Sequence, residues 1–204
     1  CGAKLRERCT ACGAIALGQP KHCRDCGAPL NAVRADMPQI RTPEYLSKRF
    51  VPARARGERK IATILRADIV NSTEVTRGRD PEDVKRILFP MLQIMAAAVH
   101  RYEGIVVRHE GDAIVASFGA PVALEEHAVR ACYAALDMQA AIRNHSMTVS
   151  RELGAALESR VGIDSGIVVY TTDQKTGHEV LERLDGVALN IVARIEPLAM
   201  PGEI

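Results

Sequence analysis

The second half of the chain opens with a short apolar run that ends in an acid. β-branched and small residues extend from Ile61 to Asp68, and Asn71, Ser72 and Thr73 follow, residue types that favour the start of a helix. The pattern therefore predicts a strand whose end carries a carboxylate and leads directly into a helix.

A longer helix is predicted next. Asp80 and Pro81 are suited to its first turn, and Gly104 to its end. Its apolar residues recur at helical spacing, at Val84, Ile87, Leu88, Met91, Leu92, Met95 and Val99. Because Pro90 falls within this pattern, we expect a kink or a break there.

Two apolar runs then flank Gly111-Asp112, which predicts a hairpin whose turn presents a second acid. A helix is predicted from about Leu124 to Ile142, with one apolar face formed by Ala128, Ala131, Ala135, Met138 and Ile142. A further hairpin is expected around residues 164–166, and a last helix ending near Pro197. The order β-α-β-β-α-β predicts an α+β fold of the ferredoxin-like arrangement.

Composition places the protein among ordinary soluble globular chains. Apolar residues make up 47% and charged residues 25%. The formal net charge of +2 gives no general case for nucleic-acid binding, which would require a basic face. No apolar run approaches the roughly 20 residues that cross a bilayer. The N-terminus lacks the pattern of a signal peptide. We therefore expect a cytoplasmic protein without a membrane partner.

Cysteines are concentrated at the N-terminus, where five of the six lie in the first 26 residues. Cys9, Cys12, Cys23 and Cys26 form C-x2-C-x10-C-x2-C, which supplies four thiolates for a closed tetrahedral zinc site. The sixth, Cys132, lies in a helical apolar pattern and is expected to be a small core residue.

Residues 9–30 are thus predicted to be a zinc ribbon, and residues 31–58, punctuated by prolines, a linker with a short helix at 42–50. Cys1-Gly-Ala repeats Cys26-Gly-Ala, so residues 1–8 are expected to be the remnant of a preceding ribbon. The ribbon could dock a partner or bind nucleic acid. Stacking readout of bases is disfavoured, since aromatic residues make up only 3% of the chain.

Asp68 and Asp112 are the candidate catalytic residues. Each has an ordinary alternative, Asp68 as a helix cap and Asp112 as a turn acid. Two carboxylates at the ends of neighbouring strands can instead hold hard divalent cations that carry a nucleoside triphosphate.

The sequence resembles the catalytic domain of class III adenylate/guanylate cyclases over residues 59–204. The resemblance rests on RKIATILRADIVNST (59–73), GDA (111–113), FGAP (118–121), VGIDSG (161–166), Asn190-x3-Arg194 and PGEI (201–204). The chain begins without methionine and stops at Ile204, so we expect a C-terminally incomplete domain from a longer protein.

The resemblance implies a homodimer that shares its active sites and turns a nucleoside triphosphate, ATP before GTP, into a 3′,5′-cyclic nucleotide. Asp68, Asp112 and the backbone carbonyl of Ile69 would hold two Mg²⁺ or Mn²⁺ ions. Backbone groups at Asn71, Ser72 and Thr73 would cradle phosphate. From the partner subunit, Asn190 would position the ribose and Arg194 would stabilise charge on the α-phosphate.

Two positions depart from the family pattern. Base selection usually uses a Lys and an Asp or Thr, where this chain has Arg108 and Arg183, and Asp185 is an alternative to Arg183. A catalytically degenerate regulatory domain is therefore a second interpretation. A diguanylate cyclase is a third, since residues 108–113 resemble its Gly-Gly-Asp-Glu-Phe turn, but Glu110 and Ala113 do not fit that signature.

Overall fold

The structure is a computed structural model that describes residues 6–8, 15–17, 42–50, 57–153, 156–175 and 178–204. The chain divides into two compact units, Cys1–Gln39 and Ile40–Ile204. In the first unit, β1 (Arg6–Arg8) and β2 (Ile15–Leu17) pair antiparallel. The predicted zinc ligands Cys9, Cys12, Cys23 and Cys26 lie outside the described residues, and the zinc ribbon stays a prediction.

The second unit contains an antiparallel sheet in the order β4-β5-β3-β6-β7. Its strands are β3 (Glu58–Val70), β4 (Ile105–Glu110), β5 (Ala113–Phe118), β6 (Glu158–Lys175) and β7 (His178–Gly186). Its helices are α1 (Glu44–Ser47), α2 (Ser72–Thr76), α3 (Pro81–Arg101), α4 (His127–Leu153) and α5 (Val187–Ile195), followed by a 3-10 turn, Glu196–Leu198. The β-α-β-β-α-β order is present, and β7 and α5 extend it.

The central strand β3 sends alternate side chains to two different cores. Leu65, Ala67 and Ile69 are buried on the face covered by α3 and α4. Ala62 and Ile64 are buried on the other face, which α5 covers. By the same alternation, Arg66 and Asp68 lie on the α5 face of the sheet. This placement brings charged residues to one end of an otherwise apolar surface.

The short α1 packs at one end of the sheet. Leu46 and Phe50 are buried with Ile105 and Val122. The predicted helix at 42–50 is therefore present but shorter, and Pro43 is its N-cap rather than its first residue.

The prediction of a hairpin at residues 164–166 is wrong. β6 is continuous there, and Asp164, Ser165 and Gly166 pair in register with Ile64, Thr63 and Ala62 of β3. The reason is that β6 lies against the whole of β3, so these residues gain ladder hydrogen bonds that a turn would lose. The actual hairpin joins β6 to β7.

Helix α3 passes through Pro90 without a break. A proline removes one helix hydrogen bond. The helix continues because Met91, Leu92 and Met95, directly after the proline, are buried against the sheet.

The buried face of α4 begins one turn later than the sequence predicts. Ala131, Ala135, Met138 and Ile142 are buried as expected, but Ala128 is exposed. Cys132 is also exposed rather than in the core, because it lies about 100° around the helix from Ala131. No described helix combines the length and apolar content that a bilayer span requires.

Candidate active site

The two predicted acids lie at the same end of the sheet. The register that pairs Ala67 with Ile114 places Asp68 one residue further along, beside the β4–β5 turn that contains Asp112. The Ser72 hydroxyl, at the start of α2, donates a hydrogen bond to Oδ2 of Asp112. A left-handed residue, Asn71 (φ 65°), turns the chain from β3 into α2. The segment after β3 therefore folds back onto the hairpin acid.

Asp68 has a cationic partner within the same chain. Arg160 lies directly opposite it on β6, and its Nη2 donates to Oδ2 of Asp68 at 2.9 Å. The Asp68 side chain is 19% exposed and the Arg160 side chain is 27% exposed. The pair is accessible to solvent, so the acid is not sealed inside the protein.

This ion pair is the end of a longer network. Arg160 Nε lies 2.9 Å from Oε1 of Glu196, whose other oxygen contacts Arg66. Arg66 Nε lies 3.3 Å from Oε2 of Glu110, and Oε1 of Glu110 accepts from Arg108 Nε at 2.6 Å. Acids and arginines thus alternate across β3, β4, β6 and the end of α5.

Glu196 is the buried member of the network, at 1% exposure. Burial raises the pKa of its carboxyl group, and the Asp68 carboxylate raises it further. The nearby guanidinium groups of Arg66 and Arg160 act in the opposite direction. At the accessible end, the hydrogen bond from Arg108 lowers the pKa of Glu110. Gly162 on β6 makes room for Glu196, because a Cβ there would lie 2.9 Å from the Glu196 backbone nitrogen.

Asn190 and Arg194 are exposed one turn apart on α5, opposite its buried residues Ala188, Leu189 and Val192. Among the described residues, neither side chain has a hydrogen bond or an ion pair. Val187 and Ile191 share this outer face and are 70% and 38% exposed. The face combines two polar groups and two apolar ones that have no partner in this part of the chain.

The predicted base-selecting residues are not brought together within one chain. Arg108 lies on β4 and Arg183 on β7, the two edge strands of the sheet. Each is engaged with a carboxylate, Arg108 with Glu110 and Arg183 with Asp185, whose Oδ2 lies 2.5 Å from Nε. Both positions therefore present a charge that a neighbouring acid offsets.

The predicted phosphate-binding residues begin α2. Asn71 and Thr73 are exposed, whereas Ser72 is buried and its hydroxyl is used by Asp112. The Ile69 side chain is buried in the core, so only its backbone can serve a ligand.

The donor set suits a hard divalent cation. Asp68 and Asp112 are partly exposed carboxylates, the ligand type that Mg²⁺ and Mn²⁺ prefer. No group of three or more His, Cys, Asp or Glu side chains that could hold a metal occurs in the part of the chain that the structure describes. The two acids therefore fit a site that backbone carbonyls, water and substrate phosphates complete.

Sequence reasoning missed Arg66, Arg160 and Glu196. A signal was present for the first, because Arg66 interrupts a buried apolar strand two residues before Asp68, on the same face. The roles of Arg160 and Glu196 depend on the register of β6 and on where α5 ends.

Comparison with known proteins identifies relatives with the same fold. A family model, the adenylate and guanylate cyclase catalytic domain, matches residues 56–204. The crystal structure of a guanylyl cyclase has a TM-score of 0.63 and 30% identity, covering 71% of this chain and 73% of that chain. An adenylyl cyclase from P. aeruginosa has a TM-score of 0.58 and 25% identity, with coverage of 71% and 75%.

Two curated relatives match over most of this chain. Adenylate cyclase 1 of Rhizobium meliloti is 28% identical over 142 residues, 68% of this chain and 21% of the relative. Guanylate cyclase soluble subunit beta-2 of Rattus norvegicus is 27% identical over 165 residues, 79% of this chain and 23% of the relative. The chain thus spans less than a quarter of the length of either protein.

Proposed function

Because the chain belongs to the family of adenylate and guanylate cyclase catalytic domains, we propose that it is a purine nucleotide cyclase. It converts ATP, ahead of GTP, to a 3′,5′-cyclic nucleotide and pyrophosphate for intracellular signalling. The observation that carries this proposal is the placement of Asp68 and Asp112 at one end of the sheet, linked to the start of α2 through Ser72.

Asp68 and Asp112 would hold two Mg²⁺ or Mn²⁺ ions, with the backbone carbonyl of Ile69 as a further ligand. When bound, the ions would supply Lewis acidity that favours ionisation of the ribose 3′-hydroxyl and neutralises the phosphates. Ser72 holds the Asp112 carboxylate in one orientation through its hydrogen bond. The backbone at residues 71–73 contacts phosphate.

Asn190 and Arg194 act in the active site of a partner copy. Their exposure on one face of α5, without partners among the described residues, supports this role. Val187 and Ile191 on the same face favour dimer formation, because pairing would remove their apolar surface from water.

In the shared site, the ribose 3′-hydroxyl gives its proton to solvent and its oxygen attacks the α-phosphorus. The bond from the α-phosphorus to the oxygen that bridges it to the β-phosphorus breaks, and pyrophosphate leaves. Asn190 orients the ribose. The guanidinium of Arg194 stabilises the negative charge that develops on the α-phosphate oxygens.

A catalytically degenerate domain that regulates a partner is the second candidate. The observation that favours it is the engagement of Arg108 by Glu110 and of Arg183 by Asp185. A base-selecting pocket would require these groups to contact the purine instead.

The deciding experiment incubates the purified chain with Mn²⁺ and either ATP or GTP and identifies the product against 3′,5′-cyclic standards. We expect cyclic product from the wild type and none from Asp112→Asn. Asp137→Asn is the matched control, because Asp137 pairs with Arg101 on the surface and should leave turnover unchanged. Absence of cyclic product from every triphosphate, in a chain that still dimerises, would favour the degenerate domain.

A further inference from the structure

We propose that helix α4 pairs in antiparallel orientation with α4 of a second copy of this chain, through an exposed strip on its outer side. This strip (the α4 strip) consists of Glu126, Val129, Tyr133, Leu136, Ala140 and Arg143. Because α4 and α5 cover opposite faces of the sheet, the contact is separate from the proposed catalytic dimer. It goes beyond the proposed function and does not depend on it.

Helix α4 carries two apolar stripes, and only the inner one is used within the chain. The inner stripe packs in the core formed by the sheet and α3, and consists of Ala131, Ala134, Ala135, Met138 and Ile142. On the outer side, Val129, Tyr133 and Leu136 are 48%, 53% and 55% exposed. The outer stripe is therefore a surface without a partner among the described residues.

The spacing of the outer stripe is that of a coiled coil. Single exposed apolar residues are common on proteins. Here they recur in alternating steps of four and three residues, from Val129 through Tyr133 and Leu136 to Ala140. These are the a and d positions of a heptad. A strip restricted to a and d positions is typical of a helix that packs along one other helix.

The ends of the α4 strip carry opposite charges in the same spacing. Glu126 directly precedes the helix and Arg143 lies in its second half; both are exposed, and neither side chain has an ion-pair partner within the described ranges. In an antiparallel pair centred between Tyr133 and Leu136, Glu126 of each copy faces Arg143 of the other, because both are equally distant from that centre. In a parallel pair, like charges would face each other instead.

The same symmetry matches the apolar residues in size. Tyr133 of each copy faces Leu136 of the other, and Val129 faces Ala140. A two-fold axis requires such reciprocity, because a residue i that contacts j in the partner must itself be contacted by j. The strip is thus complementary to itself in both charge and volume, which favours a second copy as its occupant.

The Tyr133 ring is already held in place. It stacks on Tyr102, directly after α3, with ring centroids 6.0 Å apart and ring planes 20° apart. A side chain that is ordered beforehand loses less conformational entropy when a partner covers it. The centre of the strip is therefore prepared for contact.

The contact is small. Residues 129–143 span about 21 Å of helix at about 1.5 Å per residue, and a helix with its side chains is about 10 Å wide. Such a strip is smaller than the roughly 800 Å² per partner that stable interfaces bury. We therefore expect a weak self-association that is populated only at high protein concentration.

The test is sedimentation velocity of the full chain carrying Ile191→Lys, at increasing concentrations. Ile191→Lys removes the α5 contact, so that the remaining self-association reports on α4. We expect a monomer in dilute solution and a dimer in concentrated solution. Leu136→Lys in this chain should weaken the association at least about tenfold, because charge replaces apolar surface in both copies. Met147→Lys is the matched control, since Met147 is exposed on α4 beyond the paired stretch.

Charge reversal tests the antiparallel orientation. Glu126→Lys alone and Arg143→Glu alone should each weaken the association by about tenfold, because each dimer contains two such pairs and one exposed pair contributes modestly. An equal mixture of these two variants should associate as tightly as the parent chain, since opposite charges face each other again in the mixed dimer. The double variant Glu126→Lys/Arg143→Glu should recover in the same way.

Equal self-association of Leu136→Lys and Met147→Lys overturns the inference, as does a chain that stays monomeric at every concentration; the strip would then belong to a different partner. Single charge reversals that have no effect, or whose effect mixing does not restore, overturn the antiparallel pairing. None of these measurements uses cyclic nucleotide formation, so a failure of the proposed activity is distinguished from a failure of this contact.

Discussion

Replacement of Gly162 by alanine tests how closely the end of α5 is built against β6. An added Cβ would lie 2.9 Å from both the backbone nitrogen and the Cβ of Glu196, and 3.0 Å from its Cα. Carbon atoms in good contact are about 3.5–4.0 Å apart. The backbone at Glu196 must therefore move by several tenths of an ångström, and it cannot move as a flexible side chain would.

Overpacking of this kind typically destabilises a protein by about 1–3 kcal/mol. The lower conformational entropy of the unfolded chain without this glycine stabilises the folded state by about 0.4–1 kcal/mol, which offsets part of that loss. A net loss of about 1–2 kcal/mol would lower the Tm by about 2–8 °C in a chain of this length. Because Glu196 holds Arg160 and Arg66, the shift should also disturb the charge network beside Asp68.

The assay is thermal unfolding followed by circular dichroism, with Gly166→Ala as the matched control. Gly166 lies on the same strand, and a Cβ there would meet only Ala188 Cβ, at an ordinary 3.4 Å. We expect the control to change the Tm by less than about 2 °C. Equal Tm values for Gly162→Ala and Gly166→Ala would refute the close packing of Glu196 on β6.

Three further predictions concern α5 and the partly buried His100. Arg194→Ala should lower kcat by about 10²–10³-fold and leave the Tm unchanged. Replacement of the exposed Arg143 by alanine should change neither kcat nor the Tm, and equal kcat values for the two variants would exclude a catalytic role for Arg194. Ile191→Lys should shift sedimentation towards the monomer, and Met147→Lys, exposed on α4, should not; an intact Ile191→Lys dimer would exclude this interface. Burial lowers the pKa of His100, so the unfolded state binds more protons below about pH 6.5. The free energy of unfolding should fall as pH drops through that value, and His100→Gln should make the fall shallower in denaturant titrations; an unchanged slope would contradict this.

The strand and hairpin that carry the acids could be predicted because their signals are local. An apolar run bounded by Asp68, and a Gly111-Asp112 turn between two apolar runs, each identify their element without reference to the rest of the fold. The meeting of the two acids followed from the order of the strands. The hydrogen bond from Ser72 to Asp112 did not, because it depends on the left-handed turn at Asn71.

The hairpin prediction is wrong because long-range packing overrides local composition. Residues 164–166 have turn composition, but their pairing with β3 decides the conformation of this segment. The partners of Arg160 and Glu196 also depend on long-range geometry, since a shift of β6 by one residue would move Arg160 to the other face of the sheet. Local patterns cannot fix such a register.

Mixing two inactive variants tests the shared active site most directly. Asp112→Asn and Arg194→Ala each damage every site of a homodimer, but their heterodimer contains one site with both changes and one site with neither. With random exchange of subunits, half of the dimers are mixed, so we expect cyclic nucleotide formation to return to about one quarter of the wild-type rate. A mixture that exchanges subunits and stays inactive would contradict an active site formed by Asp112 of one copy and Arg194 of the other.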